Sequence, residues 1–397
     1  MASQCLLCKG SRKLCGRETC PVLKKLYFRS EVPKVGDSLF GPSPSSIFVG
    51  HEGYPSVFVG PMVSVTRENL GASDTPEKMY GLSAPEIIRL RYSLVRTKLH
   101  KDILSRDRYV RDLQDLTLSK KPTDLEVNFM KRPRFSSEFS PLLQPMGLAG
   151  EIKAVRLTEN PSIGRPIYSL VEGGLKATDA AIGLYNQNLD MSQISKILSS
   201  GVLGLEKNKK LVPTRWSITA VDDLLGKHII SEISGFMQVN FFELYENTYL
   251  DNHFHILLMP GFWEFEQIES WFPQTVWNNR EGALPEVSVE GEKSWGRKTY
   301  AATQSGGYYA ARFAVAEGLR NMGRQARALV IREVHEGYDV PVGVWEVREN
   351  VRNALRNPPQ RFSSFQEMMK NVKTRMDVAF YRQKSNLLRQ NRLTDFL

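Results

Sequence analysis

The sequence predicts an α+β protein: an N-terminal zinc knuckle, a larger mixed α/β domain and a smaller C-terminal α+β domain. Three observations lead there. All four cysteines fall within the first 20 of 397 residues. A hydrophobic content of 41% over that length exceeds one ordinary core, since domains usually run about 100–200 residues. Alternating and three-to-four apolar spacings follow one another along the body, and the character changes after about residue 290. The expected divisions are 1–30, 31–290, 291–380 and a terminal segment, 381–397.

The first segment reads CLLCKGSRKLCGRETC, a C-x2-C-x6-C-x4-C pattern built from Cys5, Cys8, Cys15 and Cys20. A C-x2-C turn offers two sulfurs to one ion and a second pair closes a tetrahedral, structural Zn²⁺ site. Gly10 and Gly16 permit the tight backbone such a knuckle needs. The segment has too little apolar surface for a core, so the metal would supply its folding energy. Two disulfides are the alternative, which a reducing cytosol disfavours.

SIFVGHEGYPSVFVGPMVSV predicts two strands, 46–50 and 56–60, around a Gly53–Pro55 turn that carries His51 and Tyr54. Ser83 and Glu86 form a capping box that opens a helix. Ile88, Tyr92, Val95, Leu99, Ile103, Val110 and Leu113 then recur at helical spacing, which extends that helix to about residue 113 with Arg89, Arg91, Arg96, Lys98, Lys101, Arg108 and Arg111 on its other face. TDLEVNF alternates as a strand, and a long loop with Arg132 and Arg134 follows. Residues 176–200 predict two short helices around a turn at Asn188–Ser192, with Ser192 as cap, in the manner of a helix-turn-helix; the basic loop EKNKK follows with Lys207, Lys209 and Lys210. Residues 212–230 feed a helix and NHFHILLM predicts a strand.

Beyond residue 290, Tyr308 to Met322 predicts an alanine-rich helix, ALVIREV and VGVWEV predict strands, and helices are expected near 348–356 and 364–388, the latter opened by a Ser363/Gln366 capping box. The chain ends in QNRLTDFL, which is similar to the Q-x-x-h-x-x-a-a box of partners of the sliding clamp PCNA. One helical turn places Leu393 and Phe396 on one side to fill an apolar pocket, with Gln390 in a polar pocket beside it and Leu397 at the last position. The alternative is a helix end that docks on its own core.

Net charge is +10 and unevenly spread. Residues 1–30 hold seven basic side chains and Glu18; residues 89–111 hold eight against Asp102 and Asp107; residues 217–291 hold twelve acids against Lys227 and Arg280. Separate basic blocks suit a polyanion such as DNA, with a solvated surface as the bland alternative. No apolar run approaches the roughly 20 residues of a membrane span, and the N-terminus has no h-region of a signal peptide. A cytoplasmic protein is expected.

The four-cysteine start, VGHEGYPSVFVGP, GLKATDAAIGLY, LVPTRWSITAVDDLLGKH and the clamp-box end together resemble the archaeal Nre DNA-repair family across essentially the whole chain. The resemblance implies an N-terminal Nre domain, a smaller C-terminal domain, and a role in DNA damage tolerance with the clamp. It implies nuclease chemistry without matching a catalytic motif to particular residues. Two functions follow: a DNA-binding, metal-dependent nuclease, or a non-catalytic DNA-binding adaptor that recruits repair partners to PCNA.

Three acidic groupings are candidates for a Mg²⁺ or Mn²⁺ site. Asp124 and Glu126 on one strand, followed by Glu151 and Lys153, resemble the metal site of PD-(D/E)xK nucleases, in which carboxylates hold the ion and Lys orients or deprotonates water. Asp251, His253 and His255 alternate on a strand and would share one face, as a ligand set for Mn²⁺ or Zn²⁺ or, alternatively, as hydrogen-bonded histidines of a half-buried strand. Asp222 and Asp223 follow Arg215 at a helix start, where carboxylates commonly just complement the macrodipole.

Overall fold

The computed structural model describes residues 5, 7–17, 20–136, 142–278 and 284–389. Gln390, Leu393, Phe396 and Leu397 of the clamp-box prediction lie outside the described residues. The chain forms two compact units. The first is Met1–Leu14, Glu18–Leu224 and Val340–Val342; the second is Cys15–Arg17, Leu225–Asp339 and Gly343–Leu397.

In the first unit, helix α1 (Pro21–Ser30) precedes strands β1 (Ser38–Ser43), β2 (Ile47–Val49) and β3 (Ser56–Ser64). The predicted strand pair around Gly53–Pro55 is therefore present, with β2 and β3 antiparallel. Helices α2 (Pro76–Met79) and α3 (Ala84–Tyr92) follow. The Ser83/Glu86 capping box opens α3 as expected. That helix ends at Tyr92, however, and residues Leu94–Asp102 form strand β4, before helix α4 (Arg108–Leu118). The single long helix expected to residue 113 is thus a helix, a strand and a helix. Val95 and Leu99 lie in a segment that pairs with β3 at both its ends (Ser64↔Leu94 to Met62↔Arg96 and Val59↔Leu99 to Ser56↔Asp102), a tertiary gain that local apolar spacing does not register.

Strands β5 (Thr123–Phe129) and β6 (Ala149–Leu157) complete a six-stranded sheet of order β1-β5-β6-β4-β3-β2. All its pairings are antiparallel except β4 with β6. One face buries Val57, Val59, Val95, Leu125, Val127, Phe129 and Ile152 against Val110, Leu113 and Leu116 of α4. Helices α5 (Arg165–Glu172), α6 (Ala177–Asn186) and α7 (Met191–Ser199) follow, then α8 (Thr214–Ile233). The predicted helix pair is present as α6 and α7. Asp190, not Ser192, is the residue before α7, and Ser192 instead bonds Glu77 through its hydroxyl (2.7 Å) and its N–H (2.9 Å).

The compact units divide within α8. The reason is the second sheet. Strands β8 (Phe242–Tyr249), β9 (Asn252–Met259), β10 (Glu264–Trp271) and β11 (Glu286–Glu292) join the later strands β13 (Arg327–Val334) and β14 (Gln360–Phe362) in the order β11-β10-β13-β9-β8-β14. Short β7 (Met237–Gln238) and β12 (Arg324–Gln325) pair in parallel outside it. Segments before and after residue 290 are thus hydrogen-bonded into one sheet.

Helices α9 (Gly306–Met322) and α10 (Trp345–Arg356) pack together, and α10 lies along β8 and β9. The other side of the sheet, with Leu244, Leu257, Ile268 and Ile331, packs on helices α11 (Phe365–Val372), α12 (Val378–Lys384) and α13 (Asn386–Arg389). Covered on both faces, all eight residues of β13 are buried. VGVWEV is not the expected strand, since α10 begins at Trp345; Val347, Val351, Ala354 and Leu355 recur at helical spacing and are buried. The helix expected over 364–388 is broken into three, because Asp377 accepts from the Phe380 N–H (3.0 Å) and Ser385 from the Leu388 N–H (3.0 Å), each starting a new turn. The capping box lies one residue on from the Ser363/Gln366 expectation: Ser364 accepts from the Glu367 N–H at 3.2 Å, and the Glu367 carboxylate accepts from Ser363. Among the described residues, no helix is long and apolar enough to cross a membrane.

Candidate functional site

The expected nuclease constellation does not converge. In the β5/β6 register Glu126 faces Arg156, and Asn128 faces Ala154; a bulge then sets Phe129 opposite Ile152. Asp124 lies beyond Glu126 toward one end of the pair, while the Glu151 carbonyl accepts from Met130 at the other. At about 3.3 Å per residue, the two carboxylates are separated by most of the strand length. Asp124 is engaged instead by Arg67 at 2.8 Å. Glu151 and Lys153 are exposed, with Glu151 opposite Lys98 of β4. The antiparallel return reverses chain direction, so residues near in sequence pattern end at opposite ends of the ladder.

The Asp222–Asp223 pair also differs from expectation. Asp222 is buried in the third turn of α8, away from the helix start at Thr214.

The Asp251, His253 and His255 grouping is rearranged. Asp251 is not on the strand; with Leu250 it forms the β8–β9 turn, both at positive φ (+49° and +56°). His255 is buried and turned toward two carboxylates, Glu246 at 2.8 Å and Glu333 at 3.8 Å. Burial lowers the pKa of His255, but hydrogen bonds and charge from Glu246 and Glu333 outweigh it and raise the value. His253 joins residues that sequence reasoning missed. Among the described residues, one group of three or more His, Cys, Asp or Glu side chains draws its ligand atoms within 4.8 Å of each other: His253, Glu333 and His335.

The sheet builds this group. His253 of β9 and Glu333 of β13 are register partners, and His335 is two residues beyond Glu333. The Tyr381 hydroxyl donates to Glu333 Oε1 at 2.7 Å. Burial pushes the Glu333 carboxyl up, but hydrogen bonds from His255, His335 and Tyr381 win and hold it at about 2. His253 Nε2 lies 3.2 Å from Asp251 Oδ1, while Asp251 Oδ2 accepts from the Gly337 N–H at 2.7 Å. The His335 ring stacks on Phe272 (centroids 4.3 Å apart) and meets His253 at 4.4 Å. The available signal was the Glu-x-His spacing that ends REVH, legible only once β13 is known to pair with β9.

The opposite face of the same strands carries a separate buried network. Arg332 donates to Glu269 (3.0 Å), Glu346 (3.1 Å) and Asn252 Oδ1 (2.7 and 3.0 Å). Burial raises the pKa of both carboxyls, while Glu346 and Glu269 overcome the desolvation of Arg332 and raise its pKa.

Cys8, in the first unit, sits in a turn lined by backbone N–H groups. Backbone N–H groups of Leu14, Gly10, Arg12 and Lys13 surround its sulfur, that of Leu14 most strongly, and lower its pKa despite burial. Lys9, Gly10 and Lys13 take positive φ to turn those groups inward. Cys5, Cys15 and Cys20 are partly buried and Cys8 is buried. A sulfur surrounded by N–H donors fits a zinc ligand.

The predicted cationic residues lie at the surface of this unit. Arg132 is exposed and 3.6 Å from Asp37, and Arg134 is exposed. Lys207 and Lys210 are exposed in the basic loop, while Lys209 pairs with Glu206 at 3.4 Å. The turn carrying His51 and Tyr54 gains a partner that the sequence did not indicate. Trp216, at the start of α8, sets its ring 5.1 Å from that of Tyr54, and the two are 46% and 40% exposed. The Val49 N–H bonds Thr214 Oγ1 at 2.9 Å and so ties the two segments together. His51 and Arg215, adjoining this pair in the chain, are exposed.

Comparison with known proteins matches the profile described as "Archaeal Nre, N-terminal" to residues 14–278 and that described as "Archaeal Nre, C-terminal" to residues 292–396. The chain is 37% identical over 396 residues to the DNA repair protein NreA of Archaeoglobus fulgidus, covering 99% of this chain and 98% of that protein. It is 35% identical to the DNA repair protein NreB of the same organism over 391 residues, 98% of this chain and 97% of that one. Similarity to the DNA repair protein NreA of Haloferax volcanii is 34% over 367 residues, 90% and 87% of the two chains. No solved structure matches.

Proposed function

The chain belongs to the archaeal Nre family, and from that premise we propose a DNA repair protein whose N-terminal unit holds the DNA. The observation that carries DNA contact is the exposed Tyr54–Trp216 pair. Exposed rings beside cations such as Arg215 suit stacking on unpaired bases, while phosphates bind basic side chains. Arg132, Arg134, Lys207, Lys209 and Lys210 supply that charge. Structural Zn²⁺ on Cys5, Cys8, Cys15 and Cys20 orders the N-terminal segment. Gln390, Leu393, Phe396 and Leu397 engage PCNA.

The test is binding of dye-labelled single-stranded DNA followed by fluorescence anisotropy. Trp216→Ala and Tyr54→Ala are each expected to weaken binding about tenfold, consistent with roughly 1–3 kcal/mol per stacked base, at unchanged melting temperature. Equal affinity of both variants and wild type would remove this surface from the account.

Metal-dependent nuclease activity is the second reading. Asp124, Glu126, Glu151 and Lys153 no longer support it, because the sheet register holds them apart. What favours it is the mixed imidazole and carboxylate group of the C-terminal unit. Cleavage of single-stranded and duplex DNA that appears with Mn²⁺ or Mg²⁺ and disappears with chelator distinguishes an enzyme from an adaptor.

A further inference from the structure

We propose that His253, Glu333 and His335 bind one divalent transition-metal ion, distinct from the cysteine site. Their ligand atoms already lie within 4.8 Å of one another. Ligands at about 2.0–2.2 Å from a common ion stand about 3–4 Å apart, so side-chain shifts of about 1 Å close the site. Two imidazoles and one carboxylate suit zinc, manganese or ferrous iron and are a poor match for magnesium or calcium, which prefer all-oxygen ligand sets.

The surroundings hold each ligand in place, as outer groups do at metal sites. Tyr381 occupies Glu333 Oε1 at 2.7 Å, which leaves Oε2, 3.6 Å from His335 Nε2, on the side of the imidazoles. Asp251 faces His253 Nε2 at 3.2 Å and is itself pinned by the Gly337 N–H through Oδ2 and by the His335 N–H through its carbonyl (3.0 Å). Phe272 fixes the plane of His335. Leu250 and Asp251 fill both positive-φ positions of the two-residue β8–β9 hairpin turn, which sets Asp251 immediately before β9 and beside His253. The side chains of His253 and His335 are 37% and 29% exposed while that of Glu333 is 8% exposed. Three protein ligands at the edge of solvent leave a coordination position for water or a phosphate oxygen.

The experiment equilibrates the full-length protein with Zn²⁺, removes unbound metal by gel filtration and measures metal per chain by mass spectrometry. Wild type is compared with His335→Ala, His253→Gln and Glu333→Gln. Each variant is expected to hold one equivalent fewer than wild type; any zinc on the cysteines is common to all and cancels. Asp251→Asn is expected to keep the ion with affinity reduced about 10–100-fold. Melting temperature identifies a variant that fails to fold, and Glu333→Gln, nearly isosteric, keeps the comparison meaningful if His335→Ala does. Equal stoichiometry in wild type and folded variants would overturn the site. No DNA is present, so that outcome leaves the DNA-contact proposal standing, and loss of the DNA-contact proposal leaves this one standing.

Discussion

Asp74 shows what a single side chain decides. It sits among Lys196 (3.3 Å), Arg91 (3.2 Å) and the Ser46 hydroxyl, with the Lys196 side chain only 7% exposed. Desolvation raises its pKa, but the two cations and the hydroxyl outweigh burial and leave it depressed. A depressed carboxylate contributes stability above its unfolded value of about 3.9 and loses it as pH falls through the folded value. Wild type should therefore lose this contribution only below about pH 4. Asp74→Asn leaves Lys196 buried without its carboxylate, and a loss of about 3–5 kcal/mol in urea unfolding at pH 7 is expected. The variant should show less acid sensitivity than wild type below pH 4; an identical pH profile would refute the assignment. Nothing local to Asp74 announces this role, since Lys196 is 122 residues away in the chain. His253 was legible as a candidate ligand from its alternation with His255, but the burial of His255 against Glu246 and Glu333 was not.

Elements were legible where local chemistry and tertiary pairing agree. The Ser83/Glu86 box opens α3, and TDLEVNF forms β5. They failed where the two conflict: residues 94–102 carry helical spacing yet pair with β3. The register of β5 against β6 yields a prediction of the same kind. Asp124→Ala removes an ion pair with Arg67, whose side chain is 64% exposed, and should leave melting temperature and any metal-dependent cleavage unchanged. Abolished cleavage by a folded Asp124→Ala protein would restore the site that the register rules out. At α11, the capping hydroxyl belongs to Ser364 and the carboxylate to Glu367. Ser364→Ala is expected to cost about 1 kcal/mol, read in denaturant unfolding.

For the whole molecule, the cationic N-terminal surface predicts salt-sensitive DNA binding. Affinity should fall steeply between about 50 and 200 mM salt, and Lys207→Ala should reduce the slope of log affinity against log salt by about 1. Binding that ignores salt would remove the charge argument. The C-terminal unit also sets where the tail can be cut. Leu387 and Leu388 are buried with Met368, Val372 and Tyr381, and Glu266 accepts from Ser385 and from the Asn386 N–H. Residues up to Leu388 thus reach into this core. Removing residues 390–397 should abolish PCNA binding, measured by calorimetry, and leave melting temperature unchanged. A sharp fall in melting temperature would mean that the tail docks internally, and equal PCNA binding would mean that the contact lies elsewhere.

By itself the sequence determined the family, the α+β class, the cysteine motif, the basic blocks and those elements whose caps and periodicity are written within a few residues. These depend on short-range chemistry, which a linear pattern records directly. Only the tertiary structure decided that β8 to β11 share a sheet with β13 and β14, that Tyr54 meets Trp216, and that His253 meets Glu333 and His335. Each depends on strand register or on contacts between residues 80 or more positions apart in the chain. A one-residue change in register turns every side chain of a strand to the opposite face, so a pairing that no local spacing encodes determines which chemistry comes together.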